Sequence, residues 1–193
     1  MNHFESLEDF AEKKLDWLKE QNQLLEKYFQ KESFKKNEIV LHAGEICHKL
    51  YFIHQGILRT FHINSNGSEF TRLIVKENEF CTILVSFSEK IASPANIQAL
   101  ENTETYSITF GNFQKLMAES EQAKSIYTKI LEDFQNFQIK RIEFLTSYSP
   151  QEKVEIFLAE NPELEPRLTD KVIASYLQIT PETYSRCKKN AKS

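Results

Sequence analysis

Glu182 and Arg186 stand four residues apart in ITPETYSRCKKN, residues 179–190. On a helix that spacing puts a carboxylate and a guanidinium on one face, a single turn apart. The guanidinium can take O6 and N7 of a guanine in a two-pronged contact, and the carboxylate can accept from N4 of a cytosine. Thr183 completes the same outward face. Thr180, Ser185 and Lys189 are small polar or basic groups of the kind that hold phosphate oxygens and set orientation. Lys188, Lys189 and Lys192 add charge for contacts to a nucleic-acid backbone. Residues 167–193 carry six Lys/Arg against two Asp/Glu, a balance of +4, whereas the remainder carries -8. A basic appendage on an acidic body suits a polyanionic partner, here double-stranded DNA.

The elements that must present these groups are written nearby. Thr169 is placed to cap a helix running to Leu177, and Thr180 to cap a second that starts with Pro181. Ile173 and Leu177 share a face, Ala174 leaves room for a neighbour, Ile179 fills the turn, and Tyr184 and Cys187 return apolar contacts. That pattern is helix-turn-helix packing; a plain αα-hairpin satisfies the same pattern. Gln178 occupies the turn where such units usually carry glycine, at a cost of about 1 kcal/mol if its φ is positive.

Upstream, Ala123, Tyr127, Ile130, Phe134, Phe137, Arg141 and Phe144 recur at alternating steps of four and three. A helix over 121–146 would be roughly 39 Å long, and its seam of Tyr127, Ile130, Phe134, Phe137 and Arg141 suits a second copy of the chain. The other reading docks this helix within its own chain. Ser149-Pro150 caps and starts a further helix, which makes a hinge near residue 148, and the prolines of NPELEP, residues 161–166, close that helix. Residues 5–30 read as helices. From about 34 to 110 short apolar runs separated by turn signals predict a small β-sandwich or barrel, with Asn66-Gly67 at a tight hairpin.

At 193 residues, 40% hydrophobic and 27% charged, the chain suits a globular protein of two modest domains. It has no apolar run of the roughly 20 residues that a membrane span needs, and its polar N-terminus has no signal-peptide pattern. A cytoplasmic location follows. Cys47, Cys81 and Cys187 are scattered thiols, expected to be reduced and structural, and they cannot supply the ligands of an iron-sulfur cluster. His42, His48, His54 and His62 match no familiar metal spacing. No cofactor and no metal is expected. The chain also lacks a phosphate loop and a nucleophile motif, so no enzymatic activity is expected.

FKKNEIVLHAGEICHKLYFIHQGILRTF, residues 34–61, with Gly44, Glu45 and Gly56, and ITPETYSR, residues 179–186, together resemble the Crp/Fnr family of bacterial transcription regulators. The resemblance covers nearly the whole chain. It implies an α+β fold: N-terminal helices, a β-roll sensor domain of double-stranded jelly-roll type, a long dimerisation helix and a C-terminal helix-turn-helix. Residues 1–146 would form the sensor domain with that helix, and 147–193 the DNA-binding domain. The family continues past its recognition helix with a hairpin wing, whereas only CKKNAKS follows Arg186. The family's pocket implies a glutamate for the ribose of a cyclic nucleotide and an arginine for its phosphate. In NEFCTILVSFSEKIASPANIQAL, residues 78–100, Ile83 stands at the glutamate, Ser93 at the arginine, and Pro94 at a residue that helps hold the phosphate. A buried phosphate without a cation lacks its charge-assisted hydrogen bonds, so cAMP binding of the usual kind is not expected. The pocket is either filled by Ile83, Leu84 and nearby aromatics or suited to an unknown neutral or apolar effector. The reading is a DNA-binding homodimeric regulator. The alternatives are a dimeric ligand-sensing or protein-interaction module that no longer binds DNA, and a cupin-type metalloenzyme, whose HxH pair is missing.

Overall fold

The computed structural model describes residues 5–191, so Lys192 lies outside the described residues. Two helices come first, α1 (Glu5–Leu15) and α2 (Asn22–Tyr28). The strands are β1 (Gln30–Phe34), β2 (Ile39–Leu41), β3 (Lys49–Gln55), β4 (Leu58–Ile63), β5 (Glu69–Val75) and β6 (Phe80–Cys81), then, after helix α3 (Leu84–Glu89), β7 (Asn96–Ala99) and β8 (Thr103–Thr109). Five helices complete the described chain: α4 (Phe110–Glu119), α5 (Glu121–Ser147), α6 (Pro150–Glu160), α7 (Asp170–Leu177) and α8 (Pro181–Ala191).

The strands form two four-stranded sheets, ordered β1-β8-β3-β6 and β2-β7-β4-β5. This is the β-roll expected from the sequence, with strand structure starting at Gln30 rather than near residue 34. Ile53, Ile57, Leu58, Ile97 and Ala99 have no exposed surface. Phe52, next to Ile53 on β3, points to the opposite face, because strand side chains alternate. There it joins Tyr106, Ile108, Leu7, Trp17, Leu25 and Leu116 in one core cluster, with the Phe10 ring 5.1 Å from its own. The N-terminal helices and α4 therefore cover a sheet face that would otherwise be open. Each large apolar side chain so buried stabilises the fold by roughly 1.5–3 kcal/mol.

The turns on either side of β4 carry glycines at positive φ. Gly56, between β3 and β4, has φ +103°, and a Cβ there would come 2.5 Å from the Thr103 Oγ1 and 2.7 Å from its Cα. Gly67 has φ +81°, but Asn66 does not join it in the left-handed region. The β4–β5 link is accordingly a five-residue loop and not the tight Asn-Gly turn expected. The Asn64 N–H donates to the Ser68 carbonyl at 3.0 Å, and the Ser68 N–H donates to the side-chain oxygens of Asn64 and Asn66 at 2.9 and 3.0 Å. Side-chain acceptors so placed hold a longer loop that the dipeptide alone does not reveal.

Contacts divide the chain into two compact units: residues up to His62 with Ile74–Ile130, and Ile63–Leu73 with Leu131 onward. The division falls within α5, upstream of the 146/147 boundary that the family resemblance implies. The second unit is discontinuous in sequence, because the tip of the β4–β5 hairpin groups with the C-terminal helices.

Candidate nucleic-acid interface

In the C-terminal unit the Thr169 hydroxyl accepts from the Val172 N–H at 3.3 Å and caps α7. Leu177 ends that helix, and Gln178 takes φ +54°, ψ +45°. The left-handed residue is thus a glutamine, as the turn required, and it carries the strain that a glycine would not. The Ile179 N–H returns to the Ala174 carbonyl at 3.1 Å, and the Thr180 hydroxyl accepts from the Thr183 N–H at 3.2 Å at the start of α8. Ile173, Ala174, Leu177 and Tyr184 have no exposed surface, and Cys187 is buried beside them. These packed faces fix α8 against α7. On α6, Ser149 and Glu152 form a capping box ahead of Pro150, and the hydrogen bonds from Ser149 hold the Glu152 carboxyl below its ordinary value of 4.5.

With that core buried, Thr180, Glu182, Ser185, Arg186 and Lys189 are exposed, and Thr183 is half-buried. The Glu182 carboxyl is held below the ordinary value by its own backbone N–H and then by the Thr180 hydroxyl, an arrangement that the helix N-terminus also favours. Lys188 is placed differently from its neighbours. Its Nζ lies 2.7 Å from Glu165 and 3.0 Å from Asp170, with only 24% of the side chain exposed. The ion pairs raise its pKa. Sequence proximity grouped Lys188 with the phosphate-facing cations; in the fold two carboxylates already neutralise it.

The five residues expected along the α5 seam part company. The Tyr127 ring meets Phe113 of α4 edge-on at 4.8 Å. Ile130 and Phe134 are half-buried, and Phe137 is 40% exposed. Arg141 is 8% exposed: its guanidinium lies 3.8 Å from the Tyr176 ring centroid and donates to the Tyr176 carbonyl on α7. Burial lowers its pKa, and burial together with the nearby Arg141 lowers that of Lys153 on α6. The apolar groups that α5 leaves open are Ile139 and Ile142, 58% and 63% exposed, together with Phe137. The open stripe is rotated from the heptad read in the sequence, since several heptad residues are used within the chain.

The hairpin tip also touches α7. The Thr71 and Ser175 hydroxyls are 2.6 Å apart, and Lys171 Nζ is 3.6 Å from Glu69.

In the sensor segment Ile83 precedes α3 and is 9% exposed, Leu84 is half-buried, and Pro94 is exposed. Ser93 is buried, and its hydroxyl donates to the Ala95 carbonyl at 2.6 Å while accepting from the Ala95 N–H at 3.2 Å. The buried Ser86 hydroxyl accepts from the Cys47 N–H and donates to the Ile91 carbonyl. Phe87 is 2% exposed and packs edge-on against Phe110 and Phe113. Sequence reading passed over Arg59 on β4, which is 5% exposed, bonded to Gln98 and stacked 4.0 Å from the Phe61 ring centroid. Among the described residues no group of three or more His, Cys, Asp or Glu is placed to hold a metal ion. Among them, no helix is long and apolar enough to cross a membrane.

A β-roll, a 27-residue helix and a helix-turn-helix, in that order, define a class of fold. Residues 31–120 match the cyclic nucleotide-binding domain family. No curated protein sequence matches the chain. FixK2 from Bradyrhizobium japonicum superposes with a TM-score of 0.76 at 16% identity, covering 85% of this chain and 84% of that one. A putative transcriptional regulator of the Crp/Fnr family from Eubacterium rectale does so at 0.72 and 21% identity, covering 92% and 84%. The catabolite activator protein of Thermus thermophilus gives 0.60 at 17% identity, covering 95% and 86%. The chain has the Crp/Fnr fold.

Proposed function

We propose that this chain is a sequence-specific DNA-binding transcription regulator of the Crp/Fnr type that acts as a homodimer, and not an enzyme. One observation carries the reading: Glu182 and Arg186 are both exposed on α8 while Tyr184 and Cys187 of the same helix are buried beneath them. A helix held from below with a carboxylate and a guanidinium above has the form of a major-groove reader. Ile139 and Ile142, three residues apart on α5 and both exposed, supply the apolar stripe for the second copy. The sensor barrel does not take cAMP in the usual way. Ile83 and Ser93 stand where charged anchors are needed, and the Ser86 and Ser93 hydroxyls are already engaged by backbone groups, Ser86 by Cys47 and Ile91 and Ser93 by Ala95.

Selection of bound sequences from random DNA by the purified protein tests this function. The expected product is a two-fold symmetric site with half-sites about 34 Å apart. Arg186→Ala should relax the preference at one base pair per half-site, by about 1–3 kcal/mol, with a smaller effect on general affinity. A pool that stays random after repeated rounds at low salt sinks the proposal.

A further inference from the structure

Arg141 was expected to face a second copy, yet it is buried in its own chain, and what it touches is the end of the helix that carries the reader. Tyr176 lies in the last turn of α7, whose final carbonyls have no acceptor role left inside the helix. Arg141 donates to one of them and places a cation at the negative end of α7. The same guanidinium stacks on the Tyr176 ring, whose centroid is 5.9 Å from that of Phe157 on α6. One aromatic residue is thus gripped by α5 and α6 together. Two residues on, Gln178 turns left-handed and the chain enters α8.

We propose that Arg141 is the positioning residue that sets the angle of the helix-turn-helix on the long helix, and through it the distance between the two recognition helices of a dimer. This rests on the DNA-binding reading for its consequence but not for its geometry. The lever is short and sensitive. The 11 residues of α8 span about 16 Å at 1.5 Å each, so a tilt of about 10° at the turn moves the far end by about 3 Å, close to the rise of one base pair. A leucine would fill the same space without desolvating a charge. Arginine adds direction, because a planar fork stacked on a ring and bonded to a fixed carbonyl allows one orientation, whereas lysine offers a point charge on a flexible stem.

The test uses the full chain with spin labels on Gln135→Cys and Ser185→Cys, both exposed positions, diluted with unlabelled protein so that only distances within one chain are read. The expected result is a narrow distance distribution in the otherwise unsubstituted chain, a broad one in Arg141→Ala, and an intermediate width in Arg141→Lys. Equal widths in all three overturn the proposal. Should Arg141→Ala fail to fold, Tyr176→Leu keeps the carbonyl and removes the stacking surface; broadening there supports the proposal and an unchanged width overturns it. In parallel, Arg141→Ala should keep its affinity for a single half-site but lose about ten-fold or more on the spaced pair, since only the paired contact depends on geometry. An unsubstituted protein that binds no DNA removes the proposed function, while the label widths still decide the role of Arg141.

Discussion

Two adjacent lysines on α8 differ in exposure. Lys188 sits between Glu165 and Asp170, whereas Lys189 is exposed beyond them. Salt dependence of DNA binding should separate them. Lys189→Ala is expected to reduce the slope of log affinity against log salt by about 1. Lys188→Ala should leave the slope nearly unchanged and instead lower the melting temperature, because the partly buried Glu165 carboxylate and the exposed Asp170 lose their shared cation. Equal effects of the two substitutions on the slope would return Lys188 to the interface. That Glu182 and Arg186 share one exposed face was readable because i and i+4 spacing needs no tertiary information. The fate of Lys188 depended on where the loop carrying Glu165 folds back, and that lies beyond any local pattern.

At the scale of elements, the strained link is Gln178. Gln178→Gly should raise stability by up to about 1 kcal/mol, since a residue without Cβ accepts φ +54° at little cost; thermal melting checks it, and a loss of stability would show that the Gln178 side chain makes contacts that outweigh the strain. The capping box of α6 gives a pH dependence. Because the folded Glu152 carboxyl titrates below its ordinary 4.5, its contribution is complete above that value and declines as pH falls through the folded pKa. Acid denaturation followed from pH 6 to pH 3 should therefore show a shallower loss in Glu152→Gln than in the unsubstituted chain, as the sign of the shift requires. Thr169, Thr180 and Ser149-Pro150 announced their helices correctly, since caps act on the nearest amides. Two features were not legible: the five-residue β4–β5 loop, held by the Asn64 and Asn66 side chains that the Asn-Gly dipeptide alone does not reveal, and the rotated open stripe of α5, which depends on partners outside the helix, Tyr127 on Phe113 and Arg141 on Tyr176. A heptad of apolar residues says that a helix face will be covered, and leaves open by which chain.

For the whole molecule, assembly is expected to run through the stripe left open on α5. Ile142→Glu should yield monomers in sedimentation with little change in monomer folding, because that side chain is 63% exposed, and a charge at such a position is costly only when a partner covers it. An unchanged dimer would place the interface elsewhere. Charge is distributed to match the proposed division of labour, with -8 on residues 1–166 and +4 on the rest, which orients the basic end toward a polyanion. The β4–β5 hairpin bears on how the molecule can be taken apart. Thr71 and Glu69 reach Ser175 and Lys171 from a strand pair more than ninety residues upstream, so no single cut in the backbone separates reader from sensor. Any fragment starting at the long helix leaves behind a limb of its own unit, and grafting the reader onto another scaffold means carrying those eleven hairpin residues with it.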